Sequence, residues 1–303
     1  MGWYVISGWK KNTSAALVAA GILFIVRTMA ASNAQPTSQS AGPAAGPERP
    51  ELPAPELSVV VPVLNEAGNI APLIGEIRAA LDGRMAYQIV YVDDGSGDGT
   101  ARELLEAAGQ CPFLKVVRHN RRLGQSAALI TGLKAALAPL VATLDGDGQN
   151  DPADIVKLLA RRLEAPAPDR EKLMIAGHRA NRKDTWGKRA SSVLANRVRG
   201  AVLGDRTPDT GCGLKLFPRA AFMEMPHFDH MHRFLPALMI RSGGRVVSVV
   251  VNHRPRRRGR SNYGMWDRLW VGIVDLFGVM WLLRRACAPL VDNPDDRPDD
   301  KHD

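Results

Sequence analysis

Apolar positions along the chain alternate between two periods. LSVVVPV (Leu57 to Val63) is a β-branched run bounded by Pro62 and Asn65, and Ala67 to Leu81 carries Ile70, Leu73, Ile74, Ile77 and Leu81 at helical spacing. YQIVYVDDGS predicts a second buried strand that runs into a Gly/Asp turn, with a helix from Thr100 through Ala108 behind it. LKVVRH predicts a third strand, Ala127 to Ala138 a third helix, and LVATLDGDGQ a fourth strand that ends in acids. Strands alternating with helices imply a parallel sheet covered by helices. Such open sheets bind ligands at the carboxyl ends of their strands. Asn65 and Glu66, Asp93 and Asp94, and Asp145 and Asp147 all fall at those ends, so three strand ends are expected to share one cleft.

The flanks follow a different pattern. Thr28 to Glu56 is rich in Ala, Ser, Gln, Gly and Pro without an apolar period, which predicts a flexible linker. Before it, Lys10 and Lys11 precede AALVAAGILFIV (Ala15 to Val26), the outline of a secretory signal. That run reaches only about 18 Å as a helix, short of the roughly 30 Å hydrocarbon core. Arg27 directly after it suits a signal peptide poorly, so a membrane-leaning or dispensable extension is preferred, with a start at Met29 as a third alternative. At the other end LWVGIVDLFGVMWLL (Leu269 to Leu283) is apolar nearly all round, carries Trp266, Trp270 and Trp281 in or beside it, and is bracketed by Arg268, Arg284 and Arg285. As a helix of about 22 Å with Asp275 inside, it reads as an interfacial or re-entrant anchor, or else as a helix packed on the core or in an oligomer interface. The expected organisation is thus an apolar stretch and linker over 1–56, a main domain over 57–265, a membrane-associating segment over 266–291 and an acidic tail over 292–303.

Composition narrows the partners. With 45% hydrophobic and 23% charged residues among 303, the chain is neither wholly disordered nor fibrous, and a net charge of +9 favours phosphates, nucleic acid or an anionic membrane surface. Cys111, Cys212 and Cys287 lie far apart with no C-x-x-C pair, which argues against zinc or a redox centre and for free thiols in a reducing compartment. Asp145-Gly146-Asp147 on a strand-to-loop turn could present two carboxylates to one Mg²⁺ or Mn²⁺, with Gln149 adding an amide oxygen. Asp-Gly pairs are also ordinary turn residues. An EF-hand starting at Asp145 fails, because Asn150 and Val156 stand where its Gly and Glu belong. Gly95, Gly97 and Gly99 lack the dinucleotide spacing. His119, His178, His232 and His253 lack metal-ligand spacing and read as packing and hydrogen-bonding residues near the site. Asp209 reads as an acceptor-side acid or as a turn or cap residue, and Arg182 and Arg199 as a solvated surface run.

Taken in order, VVVPVLNEAGNI, VYVDDGSGDGT, HNRRLGQSAALITGLKAA, TLDGDGQNDP, AGHRANRKDTWGKRASSVLAN, DTGCGLKLF, HRFLPAL and VNHRPRRRGRSNYG resemble family-2 glycosyltransferases of the GT-A fold. Within them the match is to the dolichol-phosphate mannose synthase and polyprenyl-phosphate glycosyltransferase group, from about Leu57 to Arg285. The resemblance implies a Rossmann-like, mixed and mostly parallel sheet flanked by helices. It implies that Pro62, Asn65, Glu66, Asp94, Gly146 and Asn262 hold the nucleotide sugar, and that Asp145, Asp147 and Gln149 form the metal and diphosphate centre. Asp145, Asp147, Arg179 and Arg256 would be catalytic, Arg179 and Arg256 also facing the donor. Lys188, Arg189, Arg258 and Ser261 would bind the acceptor phosphate. The loop Arg256 to Asn262 matches R-x-x-G-x-S-K except that Asn262 replaces Lys, with Arg258 or Arg260 nearby to supply charge.

The implied reaction is inverting transfer from a UDP- or GDP-linked sugar to a polyprenyl phosphate at the cytoplasmic face of the inner or plasma membrane. A divalent cation and nearby arginines, including Arg254 to Arg260, would offset the leaving-group charge. A lipid phosphate is already anionic, its second pKa being about 6 by analogy with phosphorylated side chains, so no strong base is required. A homo-oligomer or a membrane-protein partner is left open. A nucleic-acid binder using RPRRRGR is the weaker rival, because acidic strand ends would then lie beside a polyanion. A processive polysaccharide synthase would ordinarily carry several membrane helices and a Q-x-x-R-W motif, both missing here.

Overall fold

The computed structural model describes residues 53–180, 199–200, 203–205, 207–255 and 265–285, with side chains from 272 onward in the last stretch. The described strands are β1 (Leu57–Val63), β2 (Tyr87–Asp93), β3 (Leu114–Arg118), β4 (Leu140–Thr143), β5 (Leu173–His178), β6 (Lys215–Pro218) and β7 (Arg245–Val250). They form one sheet in the order β3-β2-β1-β4-β6-β5-β7. Pairing is parallel from β3 through β4 and between β5 and β7, while β6 runs antiparallel to both β4 and β5. The sheet is therefore mixed and mostly parallel.

Alternation along β1 explains why both faces are covered. Leu57, Val59, Val61 and Val63 enter one core with Ile70, Leu73, Ile77, Leu81 and Leu104, whereas Val60 joins a second core with Val90, Val92, Leu129, Phe217 and Phe222. Each fully buried Val, Leu or Ile contributes on the order of 1.5–3 kcal/mol, which makes a register slip of β1 costly. The first core lies under α1 (Ile70–Leu81), α2 (Thr100–Gln110) and α4 (Asp154–Leu163). The second lies under α3 (Gln125–Ala135), α5 (Arg219–Met223) and α6 (Leu235–Arg241).

Several boundaries differ from the periodicity. α1 starts at Ile70, not Ala67, because Asn65 has positive φ and the carbonyl of Glu66 accepts from Asn69 N, so the intervening residues form a turn. α3 starts at Gln125 and closes by Ala136, and the next two amides leave the helical pattern, Leu137 N bonding Gln88 and Ala138 N bonding Ser58. β4 stops at Thr143, ahead of the acids.

The apolar C-terminal run is a helix, α7 (Met265–Arg284). It is not equivalent all round: Val279 is buried and Leu276, Met280, Leu282 and Leu283 pack on the second core, while Val274, Phe277 and Trp281 are exposed. No helix among the described residues is long and apolar enough to cross a membrane. Residues 1–52 and the acidic tail lie outside the described residues.

Candidate active site

A cavity of about 560 Å³ opens at the carboxyl ends of β1, β2 and β4. Pro62, Glu66, Asp94, Asp145, Gly146 and Asp147 line it, as three converging strand ends require. Its remaining wall comes from Gly124 and Gln125 at the start of α3, from Thr210 to Gly213 with Lys215, and from Asp229, His230, His232 and Arg233. The segment from Thr210 to Lys215 arrives because β6 is antiparallel. Thr143 pairs with Lys215, so the beginning of β6 lies where its neighbours end.

Asp93 and Asn65 do not line the cavity. Asp93 accepts from Ser96 N and pairs with Arg118 at 3.0 Å. Asn65 is exposed, and it joins two loops by accepting from Gly97 N and donating its own N–H to Ser96 Oγ. Asp94 accepts from Leu123 N and Gly124 N at 2.8 Å each and bonds His119 Nδ1 at 2.8 Å, so most of its acceptor capacity orders the 119–124 loop. Gly124 sits at φ 96°, a conformation that leaves its N–H aimed at that carboxylate. Glu66 is buried and accepts from Asn69 Nδ2 at 2.8 Å.

Among the described residues, Asp145 is the most perturbed acid. Burial first, then the negative charge of Asp147, pushes its pKa up to about 6, against the pull of Lys215, Arg179 and a hydrogen bond from Gln125 Nε2. Behind it, Gly213 permits the approach: a Cβ there would land on the Asp145 carboxylate. Asp147 accepts from Gln149 N at 3.1 Å, and Gln149 Nε2 donates to the carbonyl of Arg254. Among the described residues, no group of three or more His, Cys, Asp or Glu is placed to hold a metal by itself. Two mutually repelling carboxylates on a cavity wall still suit a hard cation whose other ligands come from a bound phosphate, the usual situation for Mg²⁺.

The cations divide into paired and cavity-facing groups. Arg179 makes a two-pronged pair with Asp209, Nε at 2.7 Å and the other nitrogen at 2.9 Å, and the backbone N–H of Arg179 donates to the same carboxylate. Burial disfavours the charge of Arg179, but these bonds outweigh it and raise its pKa. Asp209 is therefore the counter-ion of Arg179. Lys215 is buried and donates to the carbonyls of Thr210 and Cys212, its pKa lowered by burial. Two basic residues depart from expectation. Arg254 bridges Glu76 and Asp151 at 2.6 Å each, so its charge is already compensated. Arg199 is not a solvated surface residue; it is largely buried and grips both oxygens of Asp205 at 2.6 Å. Lys188, Arg189, Arg256, Arg258, Arg260, Ser261 and Asn262 lie outside the described residues, as does Arg182.

His230, Arg233 and Lys215 were not singled out by sequence reasoning, although HRFLPAL and DTGCGLKLF contain the last two, and His232 lines the cavity as a residue expected to hydrogen-bond near the site. His232 Nδ1 bonds Ser126 Oγ at 2.8 Å, and burial followed by the charges of Arg233, Lys215 and His230 pulls its pKa down to about 3.

The sequence pattern of glycosyl transferase family 2 matches residues 58–225. The chain is 35% identical over 241 residues to the dodecaprenyl-phosphate galacturonate synthase of Rhizobium johnstonii, covering 77% of this chain and 69% of that protein. It is 34% identical over 212 residues to the undecaprenyl-phosphate 4-deoxy-4-formamido-L-arabinose transferase of Edwardsiella ictaluri, covering 69% of this chain and 63% of that one, less than two thirds of its length. Among solved structures, glucosyl-3-phosphoglycerate synthase from Mycobacterium tuberculosis with Mn²⁺, UDP and phosphoglyceric acid superposes with a TM-score of 0.55 at 21% identity, over 78% of this chain and 80% of that chain. A mannosyltransferase from Pyrobaculum calidifontis with GDP-Man and Mn²⁺ gives a TM-score of 0.54 at 23% identity, over 91% and 75%. These structures share the fold, which is GT-A-like.

Proposed function

The chain belongs to glycosyl transferase family 2, and on that premise we propose that it moves a sugar, with inversion, from a nucleotide diphosphate sugar to a polyprenyl phosphate. Asp145 and Asp147 carry this reading: a repelling acid pair at the end of β4, open to a cavity large enough for a nucleotide sugar. The names of the two relatives supply the acceptor class, a long-chain prenyl phosphate.

Pro62, Glu66 and Asp94 form the donor half of the cavity, and Asn65 braces its rim through the 96–97 loop. Asp145 and Asp147, with Gln149, would hold Mg²⁺ or Mn²⁺, which when bound neutralises charge on the departing diphosphate. Lys215 lies beside Asp145, and Arg179 is a guanidinium whose charge Asp209 compensates and whose position it fixes. Gln125 orients the Asp145 carboxylate from the α3 side. The acceptor phosphate arrives as an anion, so these residues need only position it and exclude water. Lys188, Arg189, Arg256, Arg258, Ser261 and Asn262 complete the basic side of the site on this reading.

The exposed face of α7, Val274, Phe277 and Trp281, with exposed Arg284 and Arg285 at its end, suits an anionic lipid surface. On this reading the enzyme would work at the cytoplasmic face of the inner or plasma membrane, where both substrates would meet. The test is incubation of the purified protein and membranes with a panel of labelled nucleotide sugars and Mn²⁺ or Mg²⁺. Label entering a mild-acid-labile lipid supports the reading; label found only in polymer or in free sugar contradicts it.

A further inference from the structure

Of the charged groups lining the cavity, Arg233 is the anomaly. Lys215 is tied to two carbonyls, while the carboxylate of Asp229 accepts from His230 N at 2.8 Å and lies 3.6 Å from His230 Nε2. Arg233 is partly buried and lines the cavity, and its guanidinium makes no hydrogen bond or ion pair among the described residues. A guanidinium withdrawn partly from water without a partner is costly until an anion meets its N–H fork.

The backbone that carries Arg233 is held from several sides. The turn Met231–Arg233 closes with Phe234 N donating to the carbonyl of Met231 at 2.8 Å, and Arg199 donates to the carbonyl of Arg233 itself. His232 N donates to Ser126 Oγ at 3.3 Å on α3. His230, at φ 62°, puts Nδ1 3.0 Å from Asp275 on α7. Ser126 Oγ thus accepts from the His232 backbone N–H and shares a second hydrogen bond with His232 Nδ1, which fixes the plane of the imidazole. His232 lines the cavity, and its Nε2 has no hydrogen-bond partner among the described residues.

We propose that Arg233, with the imidazole of His232 beside it in the cavity wall, binds the phosphate of the acceptor, a phosphate monoester. The assignment rests on the proposed transfer reaction. It places the donor diphosphate at Asp145 and Asp147, and the lipid surface against α7, the helix that Asp275 ties to this turn. An anion presented from that surface meets Arg233 on the α3 side of the cavity.

The test is equilibrium binding of farnesyl phosphate to the full-length chain and to Arg233→Gln and Arg233→Lys, with farnesol, inorganic phosphate and Mn²⁺–nucleotide diphosphate as parallel probes. Arg233→Gln should weaken farnesyl phosphate about 30-fold and Arg233→Lys about 3-fold, as loss or impairment of a charge-assisted fork predicts. Nucleotide diphosphate affinity and the melting temperature should hold, because the side chain has no partner to lose among the described residues. Farnesyl phosphate binding within twofold of wild type in Arg233→Gln, or an equal loss of nucleotide affinity, would overturn the assignment. So would wild-type binding no tighter than that of farnesol. Equal affinity for inorganic phosphate and farnesyl phosphate would assign the subsite to a free anion and overturn the lipid role. Labelled lipid from wild type with an unchanged acceptor KM in Arg233→Gln sinks this residue while the transfer reaction stands. Arg233-dependent binding without any labelled lipid sinks the transfer reaction while the subsite stands.

Discussion

Asp145 is held in a position that costs stability. Its carboxyl, with a pKa near 6 in the folded chain, sits above the ordinary carboxylate value of 3.8. The native state therefore holds its proton more tightly than the unfolded state does. That contribution is fully present below about pH 4 and is lost as the pH rises through about 6, a change of about 3 kcal/mol for a shift of this size. His232 acts in the opposite sense over an overlapping range, because a depressed base loses stability as the pH falls below its unfolded value. The difference between wild type and Asp145→Asn isolates the acid from that background. Melting curves in EDTA should show Asp145→Asn gaining on wild type from pH 5 to pH 7.5. Added Mn²⁺ should stabilise wild type at pH 7.5 far more than at pH 5, and Asp145→Asn at neither. A constant difference across pH would remove the perturbed acid from the account.

The reversed strand decides what reaches that acid. β1, β2 and β4 could be read from their apolar runs because each ends in the residues that face the cavity, so local pattern and function coincide. β6 hides its part. Lys215 is buried beside Thr143 only because the two strands pair antiparallel, and Gly213 supports the Asp145 carboxylate only through that pairing. The same holds for Arg179 with Asp209 and for Arg254 with Glu76, partners far apart in the chain whose charges cancel. Basic residues counted along the sequence thus overstate the positive charge left to meet a phosphate. Gly213→Ala is the sharpest test at this level. Its methyl would displace the Asp145 carboxylate, so turnover should fall at least about tenfold and Mn²⁺ affinity should drop. Circular dichroism should remain that of the wild type. Unchanged kinetics would show that Asp145 has room to move without consequence.

For the molecule as a whole, α7 joins the catalytic wall to the surface that would meet lipid. Its inner face is part of the core through Val279, so deleting the helix would unfold its neighbours as well as remove the proposed anchor. Replacing the outer residues is cleaner. Phe277→Ser with Trp281→Ser should reduce sedimentation with phosphatidylglycerol vesicles several-fold and leave the melting temperature within about 1 °C, as exposed substitutions ordinarily do. Undiminished sedimentation would move the contact elsewhere. The central claim, a cation held between Asp145 and Asp147 during transfer to a prenyl phosphate, is tested most directly by following labelled sugar into lipid while EDTA is added and then overcome with Mn²⁺. The account predicts that label transfer stops with the chelator, returns with the metal, and stays absent in a folded Asp147→Ala protein. Full transfer in EDTA, or in Asp147→Ala, would contradict it.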